Sequence, residues 1–206
     1  MDKFVKLIFV LFLPMSIFAC TTSVGKLEVT SLGQVKSDEI IVVGKIKLDP
    51  VLDKIEQNLS KNLGFPFNLF ETSEALHRNK IYISINNQPI DINSKEAMWH
   101  KSVTSVNLEQ TFFIRVKKPK TLYYSGGLVK TELPESLSNK LIFPGGVKFV
   151  IQPSDKAVYI GTFEYYRDYN EVEKVTLQNE YNEAKNSFVN KFGNKITLRQ
   201  VKALKI

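Results

Sequence analysis

Residues 157–167 read AVYIGTFEYYR, the longest stretch of the chain with the character of a β-strand. Aromatic and β-branched residues dominate it, and these residue types favour extended backbone. Shorter stretches of the same kind occur at 39–48 (EIIVVGKIKL) and 111–116 (TFFIRV). Many short strands separated by Gly, Pro and Asn turns are typical of a β-sandwich.

Glycine and asparagine clusters mark the predicted turns. The diglycines of SGG at 125–127 and PGG at 144–146 predict reversals of the chain. Residues 86–89 (NNQP) are predicted to close a hairpin between strands at 80–85 and 90–92.

The period of the apolar residues changes near the C-terminus. Tyr181, Ala184, Phe188 and Phe192 recur at three- and four-residue steps, which predicts an amphipathic helix of about 14 residues that Gly193 ends. The expected fold is mostly β: an antiparallel β-sandwich with one C-terminal α-helix packed on it, formed by a single β-rich domain over 38–206.

The first residues have the pattern of an export signal. Lys3 and Lys6 precede an apolar run over 7–18, and Ala19 and Cys20 follow it. This run has 12 residues, whereas a membrane-spanning helix needs about 20. The pattern predicts a secretory signal peptide that is removed on export.

Cys20 is the only cysteine in the chain. Together with the apolar run before it, Cys20 resembles the lipobox of bacterial lipoproteins. The resemblance implies a signal peptide over 1–19 and a lipid on Cys20. The small, polar residues that follow predict a tether, so residues 20–37 are assigned to the lipidated cysteine and its tether. A lipidated sulfur leaves no thiol for a disulfide or a metal, and no cofactor is predicted. Ordinary secretory cleavage and a retained anchor helix are the alternatives.

The resemblance also implies a location. A lipid on Cys20 would hold the protein at the cell membrane or outer membrane. Because Thr21, and not Asp, follows the cysteine, the outer membrane is favoured in a cell with two membranes. The net charge of +7 favours attraction to anionic lipids. Export removes the protein from most nucleic acid, so no nucleic-acid partner is predicted.

Lys117, Lys118 and Lys120 form the densest basic stretch. A solvated turn at the end of a strand explains them without a ligand. The alternative is a basic patch that docks on a membrane surface.

An aromatic binding face is a second candidate site. If 157–167 is a regular strand, Tyr159, Phe163, Tyr165 and Arg167 share one face. Such a face could stack against sugar rings, and Gly161 would let a ligand or another strand approach closely. The alternative is that these rings belong to the core.

Residues 51–78 contain apolar side chains at helical spacing, followed by GFPF at 64–67. They either cover the core of the sandwich or form an exposed apolar patch for a partner.

The stretch from VVGKIKLDP to QTFFIRVKKPKTLYYSGG, within 38–131, resembles the prealbumin-like sandwiches of carboxypeptidase regulatory domains and bacterial surface repeats. That resemblance implies a structural or binding module without catalysis.

The chain lacks a recognisable catalytic motif. His77 and His100 are the only histidines and do not have a metal-binding spacing. Glu164 and Asp168 could form a carboxylate pair for glycoside chemistry, but an ion pair from Glu164 to a neighbouring Lys or Arg on an exposed strand is the favoured explanation. The leading hypothesis is a non-enzymatic envelope module that binds a protein or a glycan. The alternative is a carbohydrate-active hydrolase with an unrecognised carboxylate site.

Overall fold

A computed structural model describes residues 27–52, 80–92, 103–130, 140–169 and 171–206. In these ranges two sheets face each other. The first sheet contains β1 (Glu39–Asp49), β4 (Thr111–Lys117), β7 (Ala157–Asp168), β8 (Glu171–Gln178) and β9 (Leu198–Gln200). The second contains β2 (Lys80–Asn86), β3 (Val103–Asn107), β5 (Thr121–Lys130), β6 (Lys140–Val150) and β10 (Ala203–Lys205). The helix α1 (Tyr181–Phe192) follows β8. The predicted fold class is confirmed.

Strand directions differ between the two sheets. The second sheet has the order β10-β6-β5-β2-β3 and is antiparallel throughout. The first has the order β4-β1-β7-β8, and β9 lies beside the start of β7. Here β1–β4 and β7–β8 are antiparallel, whereas β1–β7 and β7–β9 are parallel. Parallel neighbours need long crossover connections, so β7 joins segments that are distant in sequence.

The main core lies between the sheets, and a second core lies outside the first sheet. The residues between the sheets include Ile40, Val42, Ile83, Tyr124, Phe143, Phe149, Phe163 and Tyr165. On the outer side, α1 buries Ala184, Phe188 and Phe192, as its period predicts. The Phe192 ring meets Phe113 of β4 edge-on, with the ring centroids 5.4 Å apart. Neither α1 nor any other helix in the described ranges is long and apolar enough to cross a membrane.

The folded domain begins upstream of residue 38, so the predicted tether over 20–37 is too long. Val29 is fully buried in the outer core, and its N–H donates to the Phe113 carbonyl at 2.8 Å. The Arg115 N–H donates to the Leu27 carbonyl at 2.7 Å. The polar character of this segment concealed its pairing with the edge of β4.

The two diglycine segments are not turns, because strands β5 and β6 run through them. Gly126 lies opposite Pro144, and the register shifts by one residue at this point. A Cβ on Gly145 would overlap the backbone nitrogen of Gly126. Two irregular segments therefore fit against each other as a paired bulge, and the reversals predicted at both diglycines are wrong.

The hairpin predicted around 86–89 is also wrong. Strand β2 pairs with β3 and β5, while residues 90–92 lie outside the strands. The Ile90 N–H donates to Ser125 Oγ at 2.9 Å. Ile92 is buried with Leu128. The alternating isoleucines thus cover the outer face of the second sheet.

Candidate functional site

The four residues predicted to form an aromatic binding face are all buried. Tyr159, Phe163 and Tyr165 are at most 3% exposed, and Arg167 is 9% exposed. Tyr159 lies in the outer core, whereas Phe163 and Tyr165 lie between the sheets. The alternative, that these rings belong to the core, is therefore confirmed, and the hypothesis of an exposed binding face is wrong.

A bulge at Gly161 explains why these rings separate. Val43 of β1 pairs with Tyr159, and Lys45 pairs with Thr162, so β7 contains one extra residue. Gly161 has φ +113, and a Cβ there would overlap the side chain of Leu177. Because side chains alternate along a strand, one extra residue moves every later side chain to the opposite face. The close neighbour of Gly161 is therefore β8 of the same sheet.

Arg167 has an internal role. Its guanidinium donates to the carbonyls of Pro50, Val51 and Tyr169 at 2.9, 3.0 and 2.8 Å. These bonds hold the chain after β1 against the end of β7, and they occupy the donors that a glycan would need.

A buried pair of tyrosine hydroxyls joins the two sheets. The Tyr165 hydroxyl donates to the Pro144 carbonyl at 2.8 Å and lies 2.9 Å from the Tyr124 hydroxyl. Burial raises the pKa of both tyrosines. Because Tyr165 donates to Pro144, the Tyr124 hydroxyl donates to Tyr165. This arrangement is a structural hydrogen-bond chain.

Nothing in the structure brings Glu164 and Asp168 together as a carboxylate pair in the part of the chain that it describes. Their Cα atoms are about 13 Å apart along an extended strand, whereas the carboxyl groups of a glycosidase pair lie about 5–9.5 Å apart. Glu164 Oε2 accepts hydrogen bonds from Thr176 and Gln178 of β8 at 3.4 and 3.3 Å.

A polar cleft of about 410 Å³ opens at the start of α1. Its lining consists of amide, carboxylate and phenol side chains: Asn179, Glu180, Tyr181, Asn182, Glu183 and Gln200. The segment before the helix and the end of β9 bring these residues together, although Gln200 is 17 residues beyond Glu183 in sequence. Sequence periodicity did not indicate the cleft, because its residues are polar and lie between regular elements.

Glu180 lines this polar cleft, and hydrogen bonds hold both of its carboxylate oxygens in place. One carboxylate oxygen accepts a hydrogen bond from Lys47, and the other accepts one from Thr162 Oγ1 at 3.1 Å. Lys45 Nζ lies 3.7 Å from Glu180 and 2.9 Å from Glu183. Burial of the Glu180 carboxyl raises its pKa, but the bonds from Lys47 and Thr162 outweigh this, so the pKa is lowered. The hydrogen bond that Lys47 donates to Glu180 raises the pKa of Lys47.

The charges of the polar cleft are balanced. Two lysines face two glutamates, and the Gln200 amide donates to Asn179 Oδ1 at 3.0 Å. A carboxyl with a lowered pKa is a poor general acid, so Glu180 does not fit the proton-donating role of a glycosidase. The arrangement suits hydrogen bonding to an uncharged polar ligand.

The predicted basic residues lie where β4 leads into β5. Lys117 and Lys120 are exposed, and Lys118 is half-buried. Lys118 Nζ donates to the Pro153 carbonyl at 3.1 Å.

Several other predictions lie outside the described residues. These are Cys20, His77, His100 and all of 51–78 except Val51 and Leu52. Val51 is 60% exposed, whereas Leu52 is buried in the main core. Within the described ranges, no group of three or more His, Cys, Asp and Glu residues could hold a metal ion.

No protein-family model, curated protein or solved structure matches this chain.

Proposed function

We propose that this chain is a membrane-anchored bacterial envelope lipoprotein whose β-sandwich is a non-enzymatic binding or assembly module. The observation that carries the anchor is the position of Cys20, the only cysteine, directly after a short apolar run. The residues that the structure describes start seven positions after Cys20, at Leu27. In a cell with two membranes, Thr21 after the cysteine favours the outer membrane.

The polar cleft at the start of α1 is the binding site in this proposal, and a glycan of the envelope is the ligand that its chemistry favours. Amide groups on its rim can both donate and accept hydrogen bonds, as sugar hydroxyls do. Its balanced charges favour a neutral ligand over a strongly charged one. The alternative ligand is an envelope protein that presents polar side chains to the cleft.

The anchor is tested by the intact mass of the protein from the membrane fraction. For the unaltered protein we expect the mass of residues 20–206 plus a diacylglyceryl group. The Cys20→Ala variant should be released from the membrane or should keep its signal peptide. An unmodified protein in the soluble fraction would mean ordinary secretion and would overturn the anchor.

The polar cleft is tested by titration with soluble peptidoglycan fragments. Gln200→Ala removes one hydrogen-bonding group from the rim, and we expect about a tenfold loss of affinity. Gln152→Ala, an exposed glutamine that does not line the cleft, is the matched control and should bind like the unaltered protein. Equal binding by both variants would exclude the cleft. Release of cleaved fragments would favour the carbohydrate-active hydrolase instead.

A further inference from the structure

Three connections meet at one end of the sandwich. They are residues 36–39 before β1, 117–121 between β4 and β5, and 151–157 between β6 and β7. The Lys118 N–H donates to the Asp38 carbonyl at 2.8 Å, and the Ile151 N–H donates to the Lys120 carbonyl at 3.1 Å. We call this end, formed by the three connections, the lysine end.

The lysine end carries a concentrated positive charge. Its lysines are Lys36, Lys117, Lys118, Lys120 and Lys156, and all except Lys118 are exposed. The same three connections contain three acidic residues. Two of these, Glu39 and Asp155, lie within 4.0 Å and 2.5 Å of Arg115 and Arg199. The exposed lysines are therefore largely uncompensated within these connections.

The N-terminal segment leads towards this same end. Glu28 forms an antiparallel bridge with Ile114 of β4. Leu27 bonds to Arg115, two residues before Lys117. Going back along the chain from Val29 to Leu27 thus means moving along β4 towards the lysine end.

The distance from the proposed lipid to the domain is short. Six residues lie between Cys20 and Leu27, and the seven steps from one Cα to the next span at most about 25 Å. Strand β7 spans about 36 Å from Ala157, at the lysine end, to Asp168, at the far end of the domain. An anchored domain can therefore bring its near end to the membrane surface far more easily than its far end.

We propose that the lysine end docks on the anionic phospholipid headgroups of the membrane that holds the Cys20 anchor. This inference rests on the proposed lipoprotein function. Attraction between a lysine and an anionic surface decays within about 8 Å at physiological salt. A tether of at most about 25 Å allows the lysines to come within that range of the membrane. The polar cleft lies about 7–17 Å along β7 from Ala157 at this end, because Gln200 pairs with Tyr159 and Glu180 binds Thr162. Docking of the end therefore leaves the cleft open to the envelope space.

A single new cysteine reports the orientation, because the sulfur of a lipidated Cys20 does not react with thiol probes. Ser154→Cys places a fluorophore in an exposed turn of the lysine end, and Glu171→Cys places one at the far end. The lipidated protein is reconstituted into vesicles of phosphatidylcholine with about 30% phosphatidylglycerol, an anionic lipid. A lipid with a spin-labelled headgroup in the same vesicles quenches the fluorophore when it is close to the membrane surface. Gln152→Cys, in the same connection as Ser154, replaces it if that variant folds poorly.

We expect strong quenching at residue 154 and weak quenching at 171, with the difference lost at about 1 M salt or in pure phosphatidylcholine. Each lysine near an anionic surface contributes about a fivefold factor. Lys117→Gln with Lys120→Gln should therefore lower the ratio of docked to undocked protein about thirtyfold. Lys174→Gln with Lys185→Gln removes the same charge elsewhere and should change the ratio little.

Equal quenching of the two probes, or equal effects of the two lysine pairs, would overturn the inference. If the intact mass still shows the diacylglyceryl group, the anchor stands and only the docking fails. A protein without the lipid in the same mass measurement would overturn the proposed function and this inference together.

Discussion

Replacement of Gly161 by alanine tests the bulge in β7. Before and after this bulge, the alternating side chains of the strand point to opposite faces of the sheet. Gly161 has φ +113, and residues with a Cβ adopt such values at a cost of about 1–3 kcal/mol. The new Cβ would also overlap Leu177. Leu177 is 45% exposed, so its side chain can move towards water at little cost. The backbone conformation therefore decides the outcome, and we expect a loss of about 2 kcal/mol in the free energy of unfolding.

Two other glycines provide matched controls. Gly146 has φ +81, and a Cβ at this residue would meet no atom within 4 Å, so Gly146→Ala introduces backbone strain without a steric overlap. Gly33 has neither a positive φ nor a close neighbour. Gly33→Ala should leave stability unchanged or raise it by up to about 1 kcal/mol.

Thermal and urea unfolding measure the series. A loss of about 2 kcal/mol in a domain of this size lowers the Tm by about 4–8 °C. The loss should persist when Gly161→Ala is made in a Leu177→Ala background. If Gly161→Ala were as stable as Gly33→Ala, or if Leu177→Ala abolished most of the loss, the reasoning from backbone conformation would be refuted.

Two predictions concern buried polar groups. Asp155→Asn replaces a carboxylate to which Arg199 donates from Nε at 2.6 Å and from Nη2 at 2.5 Å. We expect the free energy of unfolding to fall by about 2 kcal/mol at neutral pH. The bonds from Arg199 lower the pKa of Asp155; this contribution is therefore complete above about pH 5 and is lost as the pH falls below about 4, which urea unfolding across pH will show. Tyr165→Phe removes the donor to Pro144 and the acceptor for Tyr124, whereas Tyr124→Phe leaves the bond to Pro144 intact. Tyr165→Phe should therefore cost about 1–3 kcal/mol and Tyr124→Phe about 1 kcal/mol, and equal losses in thermal unfolding would contradict this order.

The helix and most strands could be predicted because their signals are local. Ala184, Phe188 and Phe192 repeat with the period of a helix, and all three are buried on one face. Strand β1 extends over Glu39–Asp49, close to the predicted 39–48. In both cases neighbours in sequence create the apolar face, so the pattern can be read without knowing what covers it.

The candidate sites depended on contacts between distant segments. Gln200 joins the polar cleft only because β9 pairs with the start of β7. The lysine end combines three connections that are up to 120 residues apart in sequence. No local pattern marks such a meeting of polar residues.

The sequence by itself determined the class of fold, the position of the C-terminal helix and the expectation of a lipid anchor, because each follows from residues close together in the chain. Only the tertiary structure decided which way the side chains of β7 face. An extra residue at Gly161 is accommodated by its partners β1 and β8, and it reverses the alternation that the sequence predicts. The same applies to the diglycines of β5 and β6, because each becomes a bulge instead of a turn only when the other lies opposite.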